Sequence, residues 1–183
     1  YNTPIIADSI MRGGLELEKR DAESGLQSAL GSGTLDNTIF TITNNNSHEV
    51  KVDGIFYQPG EVCATLVAKE GKAALAPTTL PYGEYTLTEV SAGDGYNLSD
   101  SAPRPFSITA DGQIVRFSDS AEGTHEGAFK NFVKRGDINF IKVREANNER
   151  LVGVPFKITS QTTGEAHVVV TDANGEIDTS SAF

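Results

Sequence analysis

The chain has no tryptophan, one methionine and one cysteine among 183 residues, and no apolar run near the length a membrane needs. A spanning helix takes about 20 consecutive apolar residues, so no membrane insertion is expected in this stretch. Cys63 has no second thiol to pair with, so an internal disulfide is excluded, and a small buried hydrophobe is its expected role. Positive charge is scarce: 15 Lys and Arg against 25 Asp and Glu leave a formal net charge of -10, which argues against nucleic acid and other polyanions as partners. The chain opens on Tyr-Asn-Thr-Pro and not on a basic segment followed by an apolar one. It therefore reads as an excised piece of something longer. His48, His125 and His167 lie far apart and show no metal-ligand spacing. The acidic residues are scattered, and neither Asp111-Gly112 nor Asp172-Ala173-Asn174-Gly175 makes a calcium loop. No phosphate loop, nucleophile elbow or Ser/His/Asp arrangement stands out. No cofactor and no metal are expected.

At 38% hydrophobic the chain can form a core, and its 18 glycines punctuate short runs rich in Val, Ile, Thr, Phe and Tyr. Strands are predicted at 15–20, 38–43, 49–52, 62–68, 84–90, 104–109, 113–118 and 127–133. Turn signals separate them: Asn44-Asn45-Asn46-Ser47, Asp53-Gly54, Pro59-Gly60, Pro81-Tyr82-Gly83, Gly93-Asp94-Gly95 and Asp111-Gly112. Residues 24–32 are rich in Gly and Ser and read as loop, and no stretch has helical periodicity. The spacing predicts an all-β, antiparallel β-sandwich.

The clearest internal feature is a repeat. Arg12-Gly13-Gly14-Leu15-x-Leu17-x-Lys19 returns, 123 residues on, as Arg135-Gly136-Asp137-Ile138-x-Phe140-x-Lys142. An Asn precedes each copy, Asn2 and Asn131. A tandem array follows. Residues 1–12 are expected to be a linker or the tail of a preceding module, 13–135 one full module, and 136–183 the start of a second, truncated one. Strands in that last part are predicted at 138–143, 154–159 and 166–171.

Three polar residues fall on the core-facing beat of separate strands. Lys19 shares parity with Leu15 and Leu17, Glu89 with Tyr85 and Leu87, and Asn131 with Phe129 and Val133. An amine, a carboxyl group and a carboxamide in one dry core can make a covalent crosslink without a partner enzyme. Burial lowers the amine's pKa and exposes a nucleophile. The same burial keeps the acid protonated, able to hydrogen-bond the Asn carbonyl and carry protons to the leaving ammonia. The product is one amide between the first and last strands, formed once and without turnover. It would close a loop of over a hundred residues and restrict the unfolded chain by roughly 4–5 kcal/mol. The residues alone leave a plainer reading open: Lys19 snorkels at a strand end, Glu89 pairs with it, and Asn131 caps a turn.

LELEKRD, then Leu80-Pro81-Tyr82-Gly83-x-Tyr85-x-Leu87-x-Glu89 with Gly95-Tyr96 after it, then KNFVKRGDINFIKV, resemble the Cna B-type family. These are the SpaA-like, isopeptide-forming modules of Gram-positive pilins and surface adhesins. The likeness covers 13–135 well and only the opening strands of 136–183. It departs at a turn, where Gly93-Asp94 stands in place of the family's usual Pro near Gly95. The resemblance implies an Ig-like, prealbumin-like sandwich in which Lys19 is the reactive lysine, Glu89 the catalytic acid and Asn131 the closing residue. Lys142 matches the lysine of a second module, without a visible acid or Asn partner after it. Asn2 matches the closing residue of a preceding one.

The family implies a structural module of a secreted protein attached to a Gram-positive cell wall. Its partners would be neighbouring modules and, in a pilus, other subunits. Lys69, Lys130 and Lys134 are surface-like candidates for polymerisation, though no motif singles one out. A competing expectation is a ligand-binding adhesin domain that contacts a host ligand through the insertion at 21–79, with Phe56 and Tyr57 as its aromatic patch. An accessory β-module of a secreted enzyme is a third, and nothing in the chain supports turnover on an external substrate.

Overall fold

The structure is a computed structural model that describes residues 8–119, 127–161 and 164–181. Asn2 and His125 lie outside the described residues. The chain divides into two compact units, Tyr1–Val133 and Lys134–Phe183.

The first unit is a sandwich of two sheets. One is built on β1 (Arg12–Asp21), which pairs with β6 (Lys72–Pro81), β9 (Gln113–Phe117) and β10 (Phe129–Asn131). The other has the order β5 (Val62–Val67), β2 (Ile39–Asn44), β7 (Gly83–Ser91), β8 (Arg104–Ile108). A hairpin, β3 (Val50–Val52) with β4 (Ile55–Tyr57), stands beside them. Alternate residues of each strand enter the core, as the burial of Leu15 and Leu17, Phe40 and Ile42, and Tyr85 and Leu87 shows. A chain of four ring contacts runs through the core, and two of them, Phe106–Phe117 and Phe129–Phe40, cross between the sheets. Tyr85 stacks on Phe106 at 5.6 Å, Phe106 meets Phe117 edge-on at 5.9 Å, Phe117 lies 5.9 Å from Phe129, and Phe129 meets Phe40 edge-on at 4.9 Å.

The antiparallel sandwich expected from the spacing is present, with one addition: β1 pairs in parallel with β9 along Gly13–Leu17 and with β10 along Lys19–Asp21. Two strands of this unit escaped the sequence reading. β4 is three residues long, beneath what a periodicity window resolves. β6 carries Pro77 and three alanines, residues depleted in strands. Its pairing with β1 jumps from Leu15↔Leu75 to Gly13↔Leu80, a bulge that accommodates Pro77. The bulge presses on Gly14, where an added Cβ would lie 2.1 Å from the Leu75 carbonyl oxygen. Another close approach explains Gly83: its φ is +148°, and a Cβ there would sit 2.2 Å from Asn46 Oδ1. Next to it, the buried Tyr85 hydroxyl donates to the Pro81 carbonyl at 2.9 Å and fixes the turn.

The second unit contains β11 (Asn139–Ile141) paired with β14 (Glu176–Asp178), and β12 (Pro155–Thr159) paired with β13 (Ala166–Val170). Its four strands repeat β1, β2, β5 and β6 of the first unit. Leu17↔Ala73 and Glu18↔Lys72 in the first correspond to Phe140↔Ile177 and Ile141↔Glu176 in the second. Lys19 N donates to Gly71 O at 2.8 Å, and Lys142 N donates to Gly175 O at 2.8 Å. Ile39↔Val67 and Phe40↔Leu66 correspond to Pro155↔Val170 and Phe156↔Val169. Even the entry to that hairpin recurs: Asn37 (φ 61°) donates to Ala68 O, and Gly153 (φ 74°) donates to Thr171 O. Among the described residues of this unit there is no counterpart of the β3–β4 hairpin, of β7 or of β10.

Candidate functional site

Lys19, Glu89 and Asn131 meet inside the sandwich. The first stands on β1, the second on β7 of the facing sheet, and the third on β10. Their exposures are 0%, 1% and 0%. Glu89 sits beside a bulge, since β2–β7 pairing passes from Phe40↔Glu89 to Ile39↔Ser91. The irregularity begins after Glu89, which stays in alternation with the buried Tyr85 and Leu87. Lys19 Nζ lies 3.2 Å from Glu89 Oε2. That is ion-pair distance, yet the angles miss hydrogen-bond geometry, and neither atom has any other partner among the described residues. A lysine ammonium with three donors and no acceptor well aligned is poorly solvated. Burial drives the Lys19 pKa below the usual lysine range, against the opposing pull of Glu89. Burial likewise pushes Glu89 above the usual carboxylate range, against Lys19 and the Asn131 hydrogen bond. Both shifts favour the neutral forms.

The side-chain amide of Asn131 is oriented by its neighbours. Its Nδ2 donates to Glu89 Oε1. Its Oδ1 accepts from the backbone N–H of Ser99 at 3.2 Å and of Asp100 at 3.1 Å, with the Ser99 hydroxyl at 3.4 Å. Two N–H donors can face only an oxygen, so this orientation is forced. The expectation that Glu89 hydrogen-bonds the Asn carbonyl is therefore corrected: Glu89 holds the amide nitrogen, and a loop backbone holds the oxygen. Ser99 and Asp100 were not legible in advance. They contribute through main-chain groups that any residue carries, from a loop without periodicity.

The plainer reading is met only in part. Lys19 does not snorkel, since its side chain is wholly buried, but it does contact Glu89. Around the three residues, the Arg104 guanidinium lies 3.7 Å above the Phe129 ring and pairs with Asp100 at 2.7 Å. Lys142 is exposed, and its main chain, not its amine, carries the contacts described above. Of the aromatic pair expected on an adhesive insertion, Phe56 is 57% exposed while Tyr57 packs against the core. Lys130 pairs with Asp119 at 2.9 Å, and Lys69 and Lys134 are exposed. Cys63 is buried, as expected. His48 and His167 are exposed, and no cluster of metal-ligating side chains occurs among the described residues.

The fold and these buried residues define a prealbumin-like β-sandwich of the kind found in Gram-positive surface proteins. The profile of the family described as SpaA: Prealbumin-like fold domain matches residues 14–121, and the chain belongs to that family. No curated protein sequence matches it. Among solved structures, the Bacillus anthracis TIE protein is similar at a TM-score of 0.62 and 23% identity, covering 92% of this chain and 26% of that one. A streptococcal ancillary pilin is similar at a TM-score of 0.45 and 22% identity, over 92% of this chain and 49% of the pilin. The shaft pilin SpaA of Lactobacillus rhamnosus GG follows at 0.39 and 17%, over 92% and 82%. The first likeness supports the fold, and nothing further rests on the other two. The chain spans about a quarter of the TIE protein and about half of the ancillary pilin.

Proposed function

We propose that this chain is a load-bearing module of a Gram-positive surface protein, a pilin or the stalk of an adhesin. On this reading it is stiffened by an amide bond between Lys19 and Asn131 that forms with Glu89 as the proton carrier. The observation that carries the proposal is the dry meeting of an amine, an acid and a carboxamide from β1, β7 and β10, each no more than 1% exposed. Membership of the SpaA prealbumin-like family supports it. The chemistry balances without a co-reactant: the Lys19 amine adds to the Asn131 carboxamide carbon, the bond from that carbon to Nδ2 breaks, and ammonia leaves. Glu89, protonated at the start, delivers its proton to Nδ2 and takes one from the adding amine, ending as it began. The reaction happens once per chain, so the module is not an enzyme of external substrates. Its partners would be flanking modules of the same protein and, in a pilus, other subunits. Its place would be the cell surface.

Position gives the bond its purpose. Lys19 is on the first strand of the unit and Asn131 on the last, so tension entering at one end passes to the other through a covalent link. The test is stretching of single molecules. With the bond in place, the roughly 110 residues between Lys19 and Asn131 cannot extend, and the release of about 370 Å expected for that length is missing. Appearance of the full release in the wild-type chain would refute the load-bearing reading. The exposed Phe56, with Lys51 Nζ 5.0 Å from its ring centroid, is the one observation that favours the adhesin alternative.

A further inference from the structure

We propose that the backbone N–H groups of Ser99 and Asp100 form an oxyanion-binding pair for the Asn131 carboxamide, held in place by the Asp100–Arg104 ion pair. The inference rests on the crosslinking reaction proposed above and names the part of the site that stabilises its intermediate.

Addition of the amine to the carboxamide carbon converts that carbon from planar to tetrahedral. The carbonyl π pair moves onto Oδ1, which becomes an alkoxide. In a buried site whose Glu89 pairs with Phe40 and whose Lys19 pairs with Phe129 across the strands, an unassisted oxyanion is costly. Glu89 is poorly placed to help, because its Oε1 faces Nδ2 and its Oε2 faces Lys19. Two consecutive N–H groups already aim at Oδ1, at 3.2 and 3.1 Å. These are long for a neutral acceptor, and they shorten as negative charge develops, which is the differential binding that lowers a barrier. When the intermediate collapses, the electron pair returns to the carbonyl, Nδ2 departs with the proton relayed by Glu89, and the same two donors hold the product amide oxygen. The labour at the carboxamide is thus divided: the acid serves the nitrogen and the backbone serves the oxygen.

The loop that carries these donors is fastened to the strand that carries the acceptor. Asn97 N donates to Phe132 O at 2.9 Å, Phe132 N donates to Ser99 Oγ at 3.0 Å, and Lys130 N donates to Asp100 Oδ2 at 2.9 Å. The three contacts bracket Asn131 on both sides, so the donors move with it. The remaining difficulty is charge. A bare Asp100 carboxylate beside the site would oppose an oxyanion. Arg104 meets that carboxylate at 2.7 Å and also donates to Gly127 O at 2.9 Å, tying loop, strand β8 and the approach to β10 together. Arg104 is accordingly a positioning residue, and the two N–H groups are the ones that touch a reacting atom.

The test replaces single backbone amides by esters in the full chain, using α-hydroxy acids in cell-free synthesis. Bond formation is followed by intact mass after rapid quenching. Esters at the N–H of Ser99 or of Asp100 are expected to slow the loss of ammonia by about 100-fold each, the usual effect of removing one oxyanion donor. The control is an ester at Asn45, which removes the backbone hydrogen bond to Glu84 O (3.0 Å) at the end of β2 remote from Glu89 and touches neither the donor loop nor Asn131. It should leave the rate within a few-fold of wild type. Native folding of each variant is read from its near-ultraviolet tyrosine signal, and the Asp100 ester carries the test if the Ser99 ester does not fold. Arg104→Ala should slow the reaction about 10-fold while both N–H groups remain. Equal rates for wild type and the two esters would overturn the proposal, as would an Asn45 ester as slow as they are. A wild-type chain that never loses ammonia fails the crosslink itself, a result separate from either of these.

Discussion

Replacing Lys19 with methionine and Glu89 with glutamine together separates a crosslinked module from an ordinary one by the sign of the stability change. Methionine fills nearly the same volume and is at home in an apolar core. Lys19 is wholly buried, and its amine makes no well-aligned hydrogen bond. In a chain without the bond, Lys19→Met with Glu89→Gln removes both charges of a buried pair and keeps an acceptor for Asn131 Nδ2, a change that is neutral or stabilising. In a crosslinked chain the same change opens a loop of more than a hundred residues. The loop-closure relation then gives a loss of about 5 kcal/mol. For a unit of this size that is a fall in melting temperature of about 10–20 °C. All five tyrosines lie at or before Tyr96, so tyrosine circular dichroism reports unfolding of the first unit without interference from the second. A chain carrying both Lys19→Met and Glu89→Gln that melts at or above the wild-type temperature would refute the crosslink as the source of stability.

Other consequences are sharp enough to check. The reactive state of the Lys19–Glu89 pair holds one proton, with the amine neutral and the acid protonated; the Lys19 pKa lies below its ordinary value and that of Glu89 above. The rate of bond formation should therefore be bell-shaped in pH. It falls in acid, where the pair binds two protons, and in alkali, where it binds none, and a monotonic profile would contradict the pairing. Gly14→Ala places a Cβ against the Leu75 and Ala76 carbonyls and should destabilise the first unit by about 2–4 kcal/mol in urea titration; a change below about 0.5 kcal/mol would show that the β1–β6 bulge relaxes. Tyr96→Phe removes the hydroxyl that donates to Asp21 Oδ2 and accepts from Leu30 N, both at 2.9 Å. It should cost about 1–3 kcal/mol and speed proteolysis within 22–35. Burial pushes the Cys63 thiol up to about 11, so a thiol reagent at neutral pH should label it only on unfolding.

Most of what mattered here could be read from strand parity. Lys19, Glu89 and Asn131 each follow apolar partners at spacing two, and the structure brings all three to one point. Period-two alternation has a direct geometric meaning, which is why it survived. The repeat was legible for a similar reason: Lys19 and Lys142 head copies whose pairing registers coincide residue by residue. What escaped depends on main-chain geometry. The bulge that lets β6 carry Pro77, and the parallel pairing of β10 with β1, are properties of long-range packing with no local signature. The donors at Ser99 and Asp100 are main-chain groups, invisible to a reading of side chains. The orientation of the Asn131 amide follows from them, and it reverses the role that side-chain chemistry alone assigned to Glu89.

The measurement that tests the central claim most directly is the intact mass of the purified chain beside its Glu89→Ala variant. The account predicts that the wild type is lighter than its sequence by about 17 Da, one ammonia, and that the variant has its full mass. Lys142 is exposed and no counterpart of β7 or β10 accompanies it among the described residues, so a second loss of the same size is not expected. A wild-type chain at full mass would contradict the account and leave Lys19 and Glu89 as a buried ion pair in an uncrosslinked sandwich.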